Sequence, residues 1–299
     1  MSPWSAIDIP DQTGRVFVVT GATSGLGLVT ARELARAGGY VVLACRNIEK
    51  GEQVRQSIPG GDDHSEVRHL DLADLDSVHA FADGVSHWRI ETLINNAGLM
   101  AIPLQRTAQG FEMQFGVNVL GHFLLTSLLL PRLTDRVVWL SSLMHRPGHI
   151  DLDDLNWEQR RYDRWKAYSQ SKLADLMLAY ELQRRLVACG SQLRSIAAHP
   201  GYSATELQTR SQTPMDAVFG LLNKFPRIVQ PAEQGALPSL FAATVADLPG
   251  GSFIGPDGPM ETRGFPRPVG STAASHDRDV AASLWSRCED LTDSGSWPL

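Results

Sequence analysis

Cysteine is scarce: the 299-residue sequence contains only Cys45, Cys189 and Cys288. Three widely separated cysteines cannot all pair, which argues against a disulfide framework, and their spacing lacks the C-x-x-C pattern of common metal sites. We therefore expect a reducing compartment and a cytoplasmic location.

Clusters of basic residues are also missing, and the formal net charge is -6. Arg160, Arg161 and Arg164 lie close together, but Glu158 and Asp163 interrupt them, which favours an ordinary solvated surface. Nucleic-acid-binding proteins usually need a clustered Lys/Arg surface to neutralise phosphates. The sequence therefore predicts no nucleic-acid partner.

Long hydrophobic runs are absent as well. The longest, FLLTSLLL at residues 123–130, is much shorter than the roughly 20 residues that a membrane helix needs. The N-terminal MSPWSAIDIPDQTGR has neither the basic nor the apolar region of a secretory signal. We expect no export and no membrane partner.

No metal-ligand pattern accompanies the histidines. His122, His145 and His199 lie near polar segments, but no Cys, His or carboxylate cluster with ligand spacing surrounds them. Packing or hydrogen bonding explains them more simply, and no metal is predicted.

The sequence does contain a regular alternation of strand and helix patterns. Apolar, β-branched runs occur at residues 15–20, 40–45, 66–71, 91–98, 136–142, 193–201 and 252–255. Such alternation predicts an α/β fold: a doubly wound parallel sheet of about seven strands with helices on both faces and ligands at the carboxyl ends of the strands. The stretch at 250–270 is otherwise interpreted as loop, and a final helix near 277–291 as a surface element.

The sequence GATSGLG follows the first strand and opens the first helix. Glycines there also have purely conformational explanations, but a strand, a glycine turn and a helix start together can bind a pyrophosphate through free backbone N–H groups. Gly21, Gly25 and Gly27 therefore indicate a dinucleotide site.

The end of the second strand distinguishes the cofactors, because a carboxylate there favours NAD(H) and an arginine favours the 2′-phosphate of NADP(H). The strand ends in ACRN, and the first carboxylate after Arg46 is Glu49. We predict NADP(H) over NAD(H); the alternative is that Arg46 is only a solvent-facing loop residue.

Tyr168 and Lys172 are four residues apart in YSQSK, which puts them on one face of a helix. An ammonium beside a phenol stabilises the phenolate, so the phenol can exchange a proton with a carbonyl or alcohol during hydride transfer. By itself, however, this spacing is common on helices and favours a packed tyrosine with a surface lysine.

Further motifs decide between these alternatives. TGATSGLG, NNAG at 95–98, VNVLGHF at 117–123, the serine pair 141–142, YSQSK and HPGYSAT at 199–205 occur in the order of the short-chain dehydrogenase/reductase family. The resemblance covers about residues 16–253 and implies a single Rossmann-fold domain spanning residues 1–299.

The resemblance also implies catalytic roles. Tyr168 would be the acid/base, and Lys172 would lower its pKa and bind the nicotinamide ribose. Ser142 would orient the substrate oxygen, although adjacent Ser141 must face the other way on a strand. Asn118 would hold a water that links Lys172 to solvent.

Cofactor-binding residues follow from the same resemblance. They are Gly21, Thr23, Ser24, Gly25, Leu26, Gly27, Arg46, Asp71, Leu72, Asn96, Ala97, Gly98, Tyr168, Lys172, Pro200, Gly201 and Thr205. Asp71 has an alternative role as a helix cap, and Asn95 an alternative role in bracing the central strands.

Finer similarity, in VVLACRNIEKGE and FEMQFGVNVLGHFLLT, is to the retinol-dehydrogenase-like branch with its soluble bacterial and WW-domain-containing members. That branch mostly prefers NADP, which agrees with Arg46. The catalytic residues implied by the resemblance, together with apolar residues nearby, predict carbonyl–alcohol interconversion on a small hydrophobic substrate. Reduction of a conjugated C=C bond and non-catalytic dinucleotide sensing are the alternatives.

Apolar residues are expected to surround the substrate, some of them in a lid segment at 202–231. They are Met100, Leu143, Met144, Met215, Val218, Phe219 and Leu222. Trp157 and Trp165 are interpreted as packing beneath the Tyr168 helix, with pocket lining as the alternative. A homodimer or homotetramer through the helices around Leu120 and Leu176 is also expected.

Overall fold

A computed structural model describes residues 3–203 and 230–297. These residues form one eight-stranded sheet in the order β3-β2-β1-β4-β5-β6-β7-β8, in which every neighbouring pair is parallel except the last. The strands are β1 Val16–Thr20, β2 Tyr40–Cys45, β3 Ser65–His69, β4 Ile90–Asn95, β5 Leu133–Leu140, β6 Arg194–Ala198, β7 Phe253–Pro256 and β8 Pro266–Pro268.

The predicted parallel α/β sheet is confirmed, with one strand more than the apolar runs indicated. The additional strand β8 pairs antiparallel with β7 inside the stretch expected to be loop. Its three residues begin and end with proline, which gives no strand pattern and is tolerated only at a sheet edge.

Helices connect the strands and cover both faces of the sheet. They are α1 Gly25–Arg36, α2 Ile48–Arg55, α3 Leu75–Gly84, α4 Met113–Arg132, α5 Arg164–Ala188, α6 Ala232–Gly235, α7 Leu237–Thr244 and α8 Arg278–Thr292. Helix α4 is not regular, because Gly116–Leu120 forms a π-helical turn within it. Such turns often accompany functional sites.

Alternate residues of each central strand enter two separate cores. Val16 and Val18 of β1 pack on the side of α3, α4, α5 and α8, whereas Phe17 and Val19 pack on the side of α1 and α7. This division follows from the two-residue side-chain period of a strand. Because both faces are buried, the strands read as continuous apolar runs.

The expected surface position of the last helix is only half right, because α8 buries one face completely. Leu284, Trp285 and Cys288 are inaccessible to solvent, and the Trp285 ring lies 4.9 Å from the ring of Phe123 in α4. Leu120 and Leu176, around which an oligomer interface was expected, are themselves fully buried. Oligomerisation stays a prediction.

Helix α4 has the length and composition of a membrane-crossing helix, which the count of uninterrupted apolar residues did not reveal. However, 89% of its most apolar window is buried inside the domain. Its apolar side chains therefore serve the core between the sheet and α8.

Candidate active site

The carboxyl ends of β1, β2, β4, β5 and β6 meet at one edge of the sheet, where two cavities open. One, of about 350 Å³, is bordered by the glycine turn after β1 and by the ends of β2 and β3. The other, of about 330 Å³, is bordered by Ser142, Tyr168 and Lys172. Gly98 and Leu99 border both cavities, so a long ligand could extend from one into the other.

The glycine turn packs tightly on the loop that follows β4. Gly21 has φ +66°, and a Cβ there would lie 2.9 Å from the Cα of Ala97. A Cβ on Gly27 would lie 2.4 Å from the Nδ2 atom of Asn96. Both positions therefore require glycine for close backbone approach.

The start of α1 is suited to an anionic ligand. Ser24 is the N-cap of α1 but makes no side-chain capping hydrogen bond, and Gly21, Thr23 and Ser24 border the first cavity. Uncapped N–H groups at the positive end of a helix bind phosphate groups. This end of the site fits the pyrophosphate of a dinucleotide.

Arg46, Asn47 and Lys50 border the same cavity at the end of β2. Among residues 3–203 and 230–297, neither Arg46 nor Lys50 forms an ion pair. Asp71 and Leu72 lie across the cavity. The Asp71 carboxylate accepts a hydrogen bond from the Ala73 N–H at 2.9 Å, and Asp74, not Asp71, caps α3.

Helix α5 carries Tyr168 and Lys172. The Asp163 carboxylate caps this helix by accepting hydrogen bonds from the N–H groups of Trp165 and Lys166, both at 3.0 Å. Tyr168 and Lys172 both border the second cavity, and the Lys172 Nζ atom lies 6.0 Å from the centre of the Tyr168 ring. The helical spacing thus brings phenol and ammonium to the same cavity.

The two serines after β5 have different environments. The Ser141 hydroxyl donates a hydrogen bond to the Lys172 carbonyl oxygen at 2.7 Å, so it braces α5 against the sheet. The Ser142 hydroxyl accepts one from the Met144 N–H at 3.2 Å and keeps its proton for another partner. Ser142 can therefore donate to a substrate oxygen.

Asn118 lies in the π-helical turn of α4. Its side-chain amide donates to the Leu99 carbonyl at 3.0 Å and to the Ser171 hydroxyl at 2.9 Å, and its oxygen accepts from the Leu99 N–H at 2.7 Å. Both donors of the side chain are thereby used. Asn118 connects the loop after β4 to α5, and its side chain has no donor left for the expected water.

His122 is a further polar link in the site; packing or hydrogen bonding was expected of it, but the sequence indicated no partner. Its Nδ1 atom lies 2.9 Å from the Asn118 carbonyl oxygen, and its Nε2 atom 2.9 Å from the Thr20 hydroxyl. Burial lowers the pKa of His122 to about 3, so the ring is neutral. A carbonyl can only accept, so Nδ1 carries the proton and Nε2 accepts from Thr20.

The same Thr20 hydroxyl accepts hydrogen bonds from the N–H groups of Asn96 and Ala97, both at 2.9 Å. The chain of hydrogen bonds from Asn118 through His122 to Thr20 therefore ends at the loop after β4, which borders the first cavity. Asn95 instead donates to the Thr126 hydroxyl at 2.9 Å and braces β4 against α4.

Asp175 was also missed, although its position three residues after Lys172 is a signal on a helix. Its Oδ2 atom lies 2.8 Å from Lys172 Nζ, which also donates to the Leu140 carbonyl at 2.8 Å. Burial is the largest single effect on the pKa of Lys172 and lowers it, but the charge of Asp175, the charge of Tyr168 and the hydrogen bond to Asp175 together raise that pKa above its ordinary value. Burial raises the pKa of Asp175 to about 6.

His145 and His199 are each next in sequence to a residue that borders the second cavity, Met144 and Pro200 respectively. The Nε2 atom of His199 lies 3.0 Å from one oxygen of Glu261, and Arg146 donates to the other at 3.0 Å. Burial lowers the pKa of both histidines. Glu261 therefore joins the segment after Ser142 to the segment that leads into Pro200 and Gly201.

The remaining predicted residues divide into three groups. Leu26, Asn96, Met100, Leu143, Met144, Pro200 and Gly201 border the second cavity. Trp165 borders it too, contrary to its expected role in packing, whereas Trp157 is buried against Tyr162 and Arg160. Thr205, Met215, Val218, Phe219, Leu222 and most of the proposed lid lie outside the described residues.

Comparison with known proteins agrees with this geometry. A family model described as short chain dehydrogenase matches residues 15–216. Retinol dehydrogenase 13 of Homo sapiens is 43% identical over 297 residues, which cover 93% of this chain and 84% of that protein. Polyprenol dehydrogenase of Mus musculus is 37% identical over 301 residues, covering 96% and 86%.

Among solved structures, that of an uncharacterized protein from Mycobacterium paratuberculosis has 51% sequence identity and a TM-score of 0.86, and the match covers 100% of both chains. The predicted family is confirmed. This chain belongs to the short-chain dehydrogenase/reductase family, in its retinol-dehydrogenase-like branch, and is an oxidoreductase with an NAD(P)-binding fold.

Proposed function

We propose that this enzyme interconverts a small hydrophobic carbonyl compound and its alcohol with NADP(H), and that Tyr168 is the acid/base. The observation that carries the proposal is that Tyr168, Ser142 and Lys172 border one cavity, which adjoins the glycine-turn cavity at Gly98 and Leu99. Residues of both cavities would hold a nicotinamide cofactor, which would supply or accept the hydride.

Besides the hydride, the reaction transfers one proton, and side chains of this protein can supply or accept it. The Tyr168 hydroxyl donates it to the carbonyl oxygen during reduction and takes it back during alcohol oxidation. Ser142 donates a hydrogen bond to the same oxygen, which stabilises the negative charge that develops there. The Lys172 ammonium favours the ionised phenol that remains after donation.

Two cations support NADP(H) as the cofactor. Arg46 and Lys50 border the glycine-turn cavity. Among the described residues of its lining, Asp71 is the only carboxylate, and it already accepts a backbone hydrogen bond. A 2′-phosphate would gain charge-assisted hydrogen bonds from such groups, whereas a free 2′-hydroxyl would gain much less.

An apolar substrate is favoured by the second cavity. It is bordered by Leu99, Met100, Leu143, Met144 and Trp165 together with the proposed catalytic side chains. The names of the similar proteins, retinol and polyprenol dehydrogenase, also refer to apolar alcohols. The chemical class is therefore proposed as an apolar aldehyde, ketone or alcohol.

The test follows the loss of NADPH absorbance with nonanal, benzaldehyde, cyclohexanone and all-trans-retinal, and compares NADPH with NADH. We expect turnover with at least one carbonyl and a preference for NADPH. Replacing Tyr168 by Phe should abolish turnover and preserve NADPH binding. Tyr180→Phe removes another phenol from the same helix, whose hydroxyl lies 3.1 Å from the Ser271 hydroxyl, and this variant should stay active.

Retained turnover in Tyr168→Phe would contradict the assignment. An α,β-unsaturated aldehyde such as cinnamaldehyde separates the two reductions. The proposal predicts the unsaturated alcohol as product, whereas a C=C reductase gives the saturated aldehyde.

A cytoplasmic location and a homo-oligomeric state are also proposed. The three cysteines are all free thiols, which agrees with a reducing compartment. Cell fractionation and sedimentation equilibrium test these two proposals.

A further inference from the structure

Lys172 and Asp175 form a buried ion pair next to the proposed acid/base. Their side chains are only 6% and 3% exposed, and Nζ and Oδ2 are 2.8 Å apart. Nζ also donates to the Leu140 carbonyl at 2.8 Å and lies 6.0 Å from the centre of the Tyr168 ring.

We propose that Asp175 is a positioning residue of this enzyme, which keeps the Lys172 amine protonated and fixed where its charge acts on the Tyr168 hydroxyl. The inference rests on the proposed role of Tyr168. It adds a carboxylate that is not among the residues bordering either cavity but sets the charge of Lys172, which borders the second cavity.

The physical reason is the cost of a buried charge. An ammonium removed from water loses its hydration, and its proton becomes easier to remove unless a counter-charge and hydrogen-bond acceptors replace the water. In the described part of the chain, Asp175 is the only carboxylate that pairs with Lys172, and the Leu140 carbonyl contributes no charge.

The other titratable groups around the pair do not substitute for Asp175. The Cys288 thiol faces it from α8, and burial raises the pKa of that thiol. The His122 ring approaches Lys172 from α4, and burial lowers its pKa. Both groups are therefore neutral near pH 7, and neither compensates the ammonium.

The proposal predicts the direction in which the ionisation of Tyr168 moves when the charge of Asp175 is removed. In Asp175→Asn the amide oxygen can still accept a hydrogen bond from Nζ, but the negative charge is gone. The buried amine then loses its proton at lower pH, so less positive charge remains beside the phenol. Ionisation of the Tyr168 hydroxyl should move to higher pH.

The experiment measures this ionisation without any substrate. The near-ultraviolet absorbance of tyrosinate is titrated in the full chain and in Asp175→Asn, each against the same protein carrying Tyr168→Phe, so that the difference isolates Tyr168. We expect the titration midpoint to rise by about one pH unit in Asp175→Asn.

A matched control comes from the same helix. Glu181 is a mostly buried carboxylate that pairs with Arg184 and Arg185, nine residues and about 13 Å beyond Lys172. Glu181→Gln should lower the melting temperature without moving the midpoint. A purely structural role of Asp175 predicts that same result for Asp175→Asn.

An unchanged midpoint in Asp175→Asn overturns the inference. A midpoint that moves to lower pH also overturns it, because Asp175 would then only cancel the charge of Lys172. Should Asp175→Asn fail to fold, the double variant Lys172→Met/Asp175→Asn should fold, since neither position then carries a buried charge. Its failure to fold also counts against the proposal.

Failure of the proposed function and failure of the proposed role of Asp175 give different results. Turnover retained by Tyr168→Phe refutes the acid/base assignment. An inactive Tyr168→Phe with coincident titrations of the full chain and Asp175→Asn refutes only the role of Asp175.

Discussion

The hydroxyl of Thr20 lies 2.9 Å from the Nε2 atom of His122, which joins the end of β1 to helix α4 across the edge of the sheet. Asn118 and Ala97 lie at the two ends of the same chain of hydrogen bonds. The π-helical turn of α4 and the loop after β4 are therefore joined through one buried, neutral imidazole.

This imidazole predicts acid sensitivity of the fold. An exposed histidine in the unfolded chain has a pKa of about 6.5, whereas burial lowers the pKa of His122 in the folded chain to about 3. Between these values the unfolded chain binds more protons, so stability decreases as the pH falls below about 6.5, by up to ~1.4 kcal/mol per pH unit.

His122→Gln removes this titration. We expect a lower free energy of unfolding at pH 7 but a smaller further loss between pH 7 and pH 5, measured by urea unfolding at each pH. His87→Gln changes an exposed histidine and serves as the control. Equal pH dependence in His122→Gln and the unmodified chain would argue against a buried neutral ring.

The serine pair predicts a separation of activity from stability. Ser142→Ala removes the hydroxyl that is free to bind the substrate oxygen and should lower kcat by about 100-fold. Ser141→Ala removes the bond to the Lys172 carbonyl and should reduce the free energy of unfolding by about 1 kcal/mol while most of kcat remains. The reverse result would assign the catalytic hydroxyl to Ser141.

Arg46 predicts a difference between the two cofactors. Arg46→Ala should raise the Kd for NADPH by about 10- to 100-fold, because one charge-assisted contact to the 2′-phosphate is lost. The Kd for NADH should hardly change, since NADH lacks that phosphate. Fluorescence titration measures both constants, and exposed Arg132 on α4 provides the control variant; equal weakening of both cofactors would count against the assignment.

Glu261 predicts coupling between two segments of the substrate cavity. Its carboxylate contacts His199 and Arg146, and both Met260 and Glu261 have positive φ values, 51° and 56°, which cost non-glycine residues about 1–2 kcal/mol each. Glu261→Gln loses the ion pair that offsets this strain, so we expect a lower melting temperature and a higher KM for the carbonyl substrate.

The control for Glu261 is Asp290→Asn, which removes an exposed carboxylate from α8. Unchanged melting temperature and KM in Glu261→Gln would mean that the two segments hold their positions without the carboxylate.

Local pattern was sufficient for much of the fold. Runs such as RVFVVT and YVVLAC predict strands because both faces of a parallel sheet are buried. The glycine turn can be predicted from the sequence because only glycine fits where two backbone segments approach closely. The edge strand β8 was not predictable, since three residues that begin and end with proline have no periodicity.

By itself the sequence determined the α/β sheet, the order of its motifs and the placement of Tyr168 and Lys172 on one helical face, because those properties depend on neighbours within a few residues. Only the tertiary structure decided that Ser141 turns to Lys172, that His122 bonds to Thr20 and that α8 covers α4. These contacts join residues far apart in the chain, and packing of the whole domain, not local spacing, selects them.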